Sequence, residues 1–171
     1  MILEQLKQLA AVMGDSVPEG YKYSSLYDYV IKTGTTPPQQ KVTLYYKRKL
    51  WDFVKSFKPK MKECFYNAQV LALYDKDLFT YWEGYVVKPP IPFPIHHGWT
   101  TYKGLLFDPT LRLNIDKPAG AKNIVIGEAP EGWEYFGRGY TLAQIRARWA
   151  TGWAGSLLEC PEQNFPLLRE G

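Results

Sequence analysis

The sequence predicts an α+β fold: helices first, then an antiparallel sheet, then a last helix. Three observations carry that expectation. Up to about Tyr74 the apolar residues recur at three- and four-residue spacing, the period of a helix face. From Leu78 to Val87 the period drops to two, as in a strand. At Thr141 a capping motif restores helical spacing. A chain of 171 residues fits one domain that buries about two-thirds of its unfolded surface. We therefore expect a single domain over 1–171, with a helical N-terminal part (1–59), a cysteine-bearing helix and sheet (60–140), and a C-terminal helix and tail (141–171).

Ile2, Leu3, Leu6, Leu9, Ala10 and Met13 line one side of a helix over residues 2–13 that Gly14 stops. Ser25-Leu26-Tyr27-Asp28 resembles a capping box and opens a helix to about Lys32. Residues 34–40, with Pro37-Pro38, read as a loop. Val42, Tyr46, Leu50, Phe53, Val54 and Phe57 mark a third helix that Pro59 ends. A fourth starts at or just before Cys64 and runs to about Tyr74. Four prolines between Lys88 and Pro94 exclude a central strand there. Ile95 to Thr101 and Leu105 to Asp108 form the next two strands, joined by a tight turn near Tyr102-Lys103-Gly104. Asn123 to Ile126 and Trp133 to Phe136 add two more, and Thr141-Leu142-Ala143-Gln144 opens a helix to about Thr151. The tail from Cys160, interrupted by two prolines, is expected to lie along the surface, with Cys160 an incidental thiol.

Hydrophobic residues at 46% and charged ones at 22% exclude global disorder. The net charge of +4 is too small to argue for nucleic acid. Eight lysines and arginines between Lys41 and Lys62 read as a solvated helix face and loop before an anion-binding patch. Met1 to Met13 carries Glu4 and Lys7 within its apolar pattern, unlike a signal peptide, and no window approaches the roughly 18 apolar residues of a membrane span. The expectation is a cytoplasmic protein without membrane contact. Two cysteines make no disulfide scaffold, and a reduced compartment suits a free reactive thiol.

Chemistry concentrates between Cys64 and Thr110, where a thiol, an imidazole and a carboxylate follow in order. A thiol needs help to ionise at neutral pH. Cys64 falls at a helix start, where unpaired amides and the helix dipole favour an anion, and Lys60 and Lys62 lie just before it. In a strand, His97 and Trp99 share a face. A two-residue turn at Tyr102-Lys103 places His97 opposite Asp108; a turn at Lys103-Gly104 makes it the diagonal neighbour. Both registers put imidazole and carboxylate on one face at roughly 5–7 Å between Cβ atoms, whereas a three-residue turn would separate them. Cys64 is thus the candidate nucleophile, His97 the base and Asp108 the group that orients it. Asn67 and Tyr66 are both candidates to support an oxyanion beside the Cys64 amide.

Cys64 at a helix start, Glu83-Gly84-Tyr85 on a strand, His97-Gly98-Trp99 and Phe107-Asp108-Pro109-Thr110 resemble the transglutaminase-like branch of the papain-like cysteine superfamily. The resemblance spans about residues 60–112. It implies a cysteine-bearing helix packed on an antiparallel sheet that supplies His and then Asp, with Cys64, His97 and Asp108 in those roles. The cysteine lacks the Trp-Cys context of eukaryotic transglutaminases, and no calcium-site cluster is present. The small size resembles bacterial and phage members.

Other readings compete for the same residues. Cys64 alone would suit a buried structural thiol. His96 falls on the opposite face from Trp99, which favours His97 as base. A metal site is disfavoured because adjacent histidines point to opposite faces and no Cys-x-x-Cys occurs. Trp82, Glu83, Tyr85 and Trp99 are substrate-cleft candidates, although Glu83 also suits a structural polar partner and the aromatics suit a core. The expected function is cysteine-dependent acyl transfer on a peptide, isopeptide or glutamine amide through a thioester, without cofactor or metal. The alternative is an inactive binding or inhibitory protein on the same fold.

Overall fold

The computed structural model describes residues 1–152 and 154–169. Helix α1 (Ile2–Met13) buries Ile2 and Leu6 from its apolar stripe. Helix α2 (Leu26–Thr33) starts where the Ser25 hydroxyl accepts the Asp28 amide at 3.1 Å. Helix α3 (Leu44–Val54) is shorter than the spacing of its apolar residues suggests. Thr43 caps it by accepting the Tyr46 amide at 3.2 Å, and residues 55–57 tighten into a 3₁₀ turn before Lys58 goes left-handed. Helix α4 (Cys64–Tyr74) buries Asn67, Ala68, Gln69, Leu71 and Ala72, as expected of a helix with neighbours on several sides.

The sheet contains β1 (Phe79–Val87), β2 (Ile95–Tyr102), β3 (Leu105–Arg112), β4 (Ile124–Gly127) and β5 (Glu134–Tyr140). Its order is β4-β3-β2-β1-β5, and every pairing is antiparallel. The fold is therefore α+β. The β2–β3 turn is Lys103-Gly104, both at positive φ, so Tyr102 pairs with Leu105. That selects the diagonal register for His97 and Asp108. Strand β3 runs on through Pro109, beyond the Asp108 limit read from the sequence. A register shift between Asp108 and Arg112 absorbs the proline, which has no N–H to pair. Strand β5 extends to Tyr140 because Gly137 and Gly139 continue the ladder with Gly84 and Trp82.

One sheet face, with Tyr81 and Tyr85, packs on Ala68 and Ala72 of α4 and on Ile2, Leu6, Tyr29 and Val30 of α1 and α2. The other gathers Val86, Trp99, Leu106, Val125 and Tyr135. Gly137 makes room there: a Cβ would sit 2.7 Å from Cη2 of Trp99 and 2.4 Å from the Glu83 carbonyl.

The tail lies along the surface only in part, over residues 161–164. Leu157, Leu158, Cys160, Leu167 and Leu168 are buried, the last two in helix α6 (Pro166–Arg169), and its leucines join the α1–α2–α4 core. Leucine pairs separated by prolines have no helical or strand period, so periodicity alone does not reveal their burial. Helix α5 (Leu142–Trp149) carries the capping box read from the sequence, formed by Thr141 and Gln144. Among the described residues, no helix is long and apolar enough to cross a membrane.

Candidate active site

The site forms where the β2–β3 ladder ends. Pairing runs from Tyr102–Leu105 to Thr100–Phe107, and beyond it lie His97, Asp108 and the first turn of α4. Gly98 permits the approach. A Cβ there would meet Phe65 Cδ1 at 2.8 Å and the Phe65 Cα at 3.1 Å, so the start of α4 rests directly on the β2 backbone. Asn67 fixes it from the other side. Its Oδ1 accepts the Lys60 amide at 2.9 Å, and its Nδ2 donates to the Lys60 carbonyl at 2.7 Å and to Thr110 Oγ1 at 2.9 Å. The loop before α4 and the Asp-Pro-Thr turn are thereby joined through one side chain.

Asp108 is fully buried and accepts four hydrogen bonds. Oδ2 takes His97 Nε2 at 2.7 Å and the Tyr135 hydroxyl at 2.9 Å. Oδ1 takes the backbone amides of Thr110 and Leu111 at 2.9 and 3.0 Å. Burial pushes its carboxyl up, but the His97 charge and hydrogen bond and the two amides outweigh it and hold the pKa below the ordinary value. His97, 4% exposed, stacks on Trp99 with ring centroids 6.3 Å apart. Burial opposes its cation, yet Asp108 and then Cys64 raise its pKa to about 10.

Since Nε2 is held by Asp108, Nδ1 is the ring nitrogen left for the thiol. Cys64 is half-buried. Burial raises its pKa, but hydrogen bonding and charge from His97 and the Gly98 amide bring the thiol below its ordinary value. No side chain caps α4, so its first amides stay available to an anion at Cys64. His97 thus links a buried carboxylate, on its Nε2 side, to a thiol whose pKa its charge lowers.

Of the two oxyanion candidates, Asn67 spends its amide on Lys60 and Thr110. Tyr66 lines a cavity of about 360 Å³ beside Cys64, with Lys62, Glu63, Phe65, Gly152, Ala154 and Gly155. The four cleft candidates lie elsewhere. Trp99 and Glu83 are fully buried, Tyr85 is 4% exposed, and half-buried Trp82 stacks on Trp99. None lines this cavity or the larger one next to it.

Glu83 instead holds the tail. Its carboxylate accepts the Tyr81 hydroxyl at 2.6 Å, His96 Nε2 at 2.8 Å, the Leu157 and Leu158 amides at 2.8 and 3.2 Å, and the Ser156 hydroxyl. Burial raises its pKa, but these partners, His96 first, bring it below the ordinary value. Gln69 of α4 adds a second tie, donating to the Gly155 carbonyl at 2.8 Å. The tail segment 154–159 is thus fastened beside the first turn of α4.

The sequence marks neither Tyr135 nor Gln69, and it shows Gly98 only within His97-Gly98-Trp99. Cys160 is buried and engaged rather than incidental, accepting from Arg148 Nη1 at 2.9 Å and donating to Gln163 Oε1 at 3.3 Å. Among the described residues, no group of three or more His, Cys, Asp or Glu side chains is arranged to hold a metal ion. No protein-family model, curated protein or solved structure matched this chain.

Proposed function

We propose that this chain is a cysteine-dependent acyl-transfer enzyme that hydrolyses an amide bond of a peptide or protein, with Cys64 as nucleophile, His97 as acid and base, and Asp108 as the group that orients His97. One observation carries the reading: His97 is held through Nε2 at 2.7 Å by a buried carboxylate while its charge lowers the pKa of Cys64 at a helix start. A cysteine helix followed by a strand-borne histidine and an aspartate on the next strand agrees with the transglutaminase-like resemblance of the sequence.

The Cys64 thiolate attacks the amide carbonyl carbon and forms a C–S bond. The oxyanion is stabilised by the Cys64 backbone N–H, with Tyr66 the support candidate whose side chain borders the adjoining cavity. As the C–N bond breaks, His97 gives its Nδ1 proton to the leaving amine. A water, deprotonated by the now neutral His97, attacks the thioester carbonyl. The C–S bond breaks, and the acid product and the Cys64–His97 pair are regenerated.

The test is incubation of the protein with a broad peptide library, read by mass spectrometry for cleavage, a one-dalton deamidation shift or crosslinks. Cleavage by the parent protein should vanish in Cys64→Ala, together with labelling by a thiol-directed acyl probe. Product formation at the parent rate in Cys64→Ala would overturn the reading.

A further inference from the structure

A second cavity, of about 530 Å³, adjoins the one beside Cys64 and shares Phe65 and Gly155 with it. Phe65 follows the candidate nucleophile directly, and its ring lies 5.0 Å from that of His96. The cavity therefore reaches the first turn of α4 one residue past Cys64. Leu26, Phe65, Pro161 and Phe165 form apolar wall, while Glu159 and Glu162 supply carboxylates and Arg148, the partner of Glu162, one cation.

The charges around it do not cancel. His96 lies between buried Glu83, at 2.8 Å, and Glu159, at 3.4 Å. Arg148 Nη1 pairs with Glu162. Three carboxylates thus share two cations even when His96 is protonated. Glu159 is the one least committed: its side chain is 57% exposed, and its ion-pair partner stands at 3.4 Å. An apolar wall ending at an under-compensated carboxylate matches a long aliphatic stem with a cationic head. A guanidinium can also stack on either phenylalanine ring. An acidic side chain would meet Glu159 and Glu162 with like charge. A purely aliphatic one would leave Glu159 to water.

We propose that this cavity is a side-chain subsite that selects arginine or lysine within two residues of the acylated carbonyl, through Glu159 and the apolar wall around Phe65. The assignment rests on the acyl-transfer reading above and adds the class of substrate.

The test uses N-acetylated peptidyl acyloxymethyl ketones that differ in one side chain at either of the two residues nearest the ketone. Arginine, norleucine and glutamate are compared, norleucine keeping the stem without the charge. Label on Cys64 is quantified by peptide mapping in the parent protein and in Glu159→Gln, with Cys64→Ala as the control for label elsewhere. At one of the two positions the arginine probe should label Cys64 about fivefold faster than norleucine, the scale of a partly exposed ion pair, and the glutamate probe should be slowest. In Glu159→Gln the arginine-to-norleucine ratio should fall below about twofold. Equal rates, a preference for glutamate, or a ratio untouched by Glu159→Gln would overturn the subsite and leave the acyl-transfer reading standing. No Cys64 label from any probe, while iodoacetamide still alkylates Cys64, would remove that reading and the subsite with it.

Discussion

His96 and His97 are chain neighbours, and each is bonded through Nε2 to a fully buried carboxylate, at 2.8 Å from Glu83 and 2.7 Å from Asp108. On the acyl-transfer reading the two pairs serve different ends. Strand alternation sends the imidazoles to opposite faces of β2, and the remaining ring nitrogen then meets different company. That of His97 faces a thiol at a helix start, while Nδ1 of His96 meets the half-exposed carboxylate of Glu159. The carboxylates differ too. Glu83 gathers the Tyr81 and Ser156 hydroxyls and two tail amides besides His96, so it works as a fastener. Asp108 takes its backbone donors from its own turn, which holds it rigid and leaves its second oxygen aimed at His97. A buried histidine–carboxylate pair is therefore no mark of catalysis by itself. What matters is whether the other nitrogen has a nucleophile to serve.

Isosteric changes at the two carboxylates should separate the tasks most sharply. Asp108→Asn keeps the shape but removes the charge that raises the His97 pKa, which on the acyl-transfer reading weakens nucleophile and base together. Turnover should fall by about 10³-fold, with slower alkylation of Cys64 at neutral pH. Glu83→Gln leaves several buried donors competing for a single acceptor oxygen. It should lower stability by about 2–4 kcal/mol, read as a lower urea midpoint. Turnover per folded molecule should drop far less than in Asp108→Asn. Equal losses of turnover, measured where both variants are folded, would dissolve the distinction.

The legible part of this site was what a strand or helix repeats. Alternation put His97 and Asp108 on one face, the Lys103-Gly104 turn was one of two registers available, and the apolar spacing after Pro59 started a helix at or just before Cys64. Partners fixed by tertiary contact had no such signal. Tyr135 reaches Asp108 from β5, 27 residues on, and no motif marks it. Ser156, Leu157 and Leu158 reach Glu83 across more than 70 residues, from a segment whose prolines and glycines hide its burial. Asn67 shows the opposite limit. Its place one turn into α4 was plain, but its use as a clamp between Lys60 and Thr110 needs the loop in three dimensions.

A smaller effect distinguishes the histidines by pH. Burial disfavours the His96 cation, but Glu159 and Glu83 raise its pKa to about 9, against about 6.5 in an unfolded chain. With the folded pKa the higher one, its contribution to stability is complete below about pH 6.5 and fades as pH climbs through about 9. His97 acts in the same sense up to about pH 10, while the lowered thiol of Cys64 acts in the opposite one. The difference between the parent and His96→Gln isolates the first term. Urea midpoints taken from pH 6 to 9 should converge with rising pH, the parent losing its advantage across that interval. A constant gap would mean that His96 is held by packing and not by charge.

The finest test is Tyr135→Phe. The hydroxyl donates at 2.9 Å to the same Asp108 oxygen that receives His97. Burial and the Asp108 charge push the phenol pKa well above its ordinary value, so it stays a donor at every working pH. Without it, Asp108 keeps His97 and two amides, the anion loses one of four stabilising contacts, and its carboxyl pKa rises. Loss of this charge-assisted bond should cost about 1–2 kcal/mol of stability. Turnover should fall about three- to tenfold, since 1.36 kcal/mol at the transition state is tenfold in rate. The acid limb of the pH–rate profile should also move upward, because a less anionic Asp108 supports the His97 cation less and the Cys64 thiolate with it. A packing role alone would lower the urea midpoint and leave that limb in place. Movement of the limb is therefore what would tie Tyr135 to the His97–Asp108 pair.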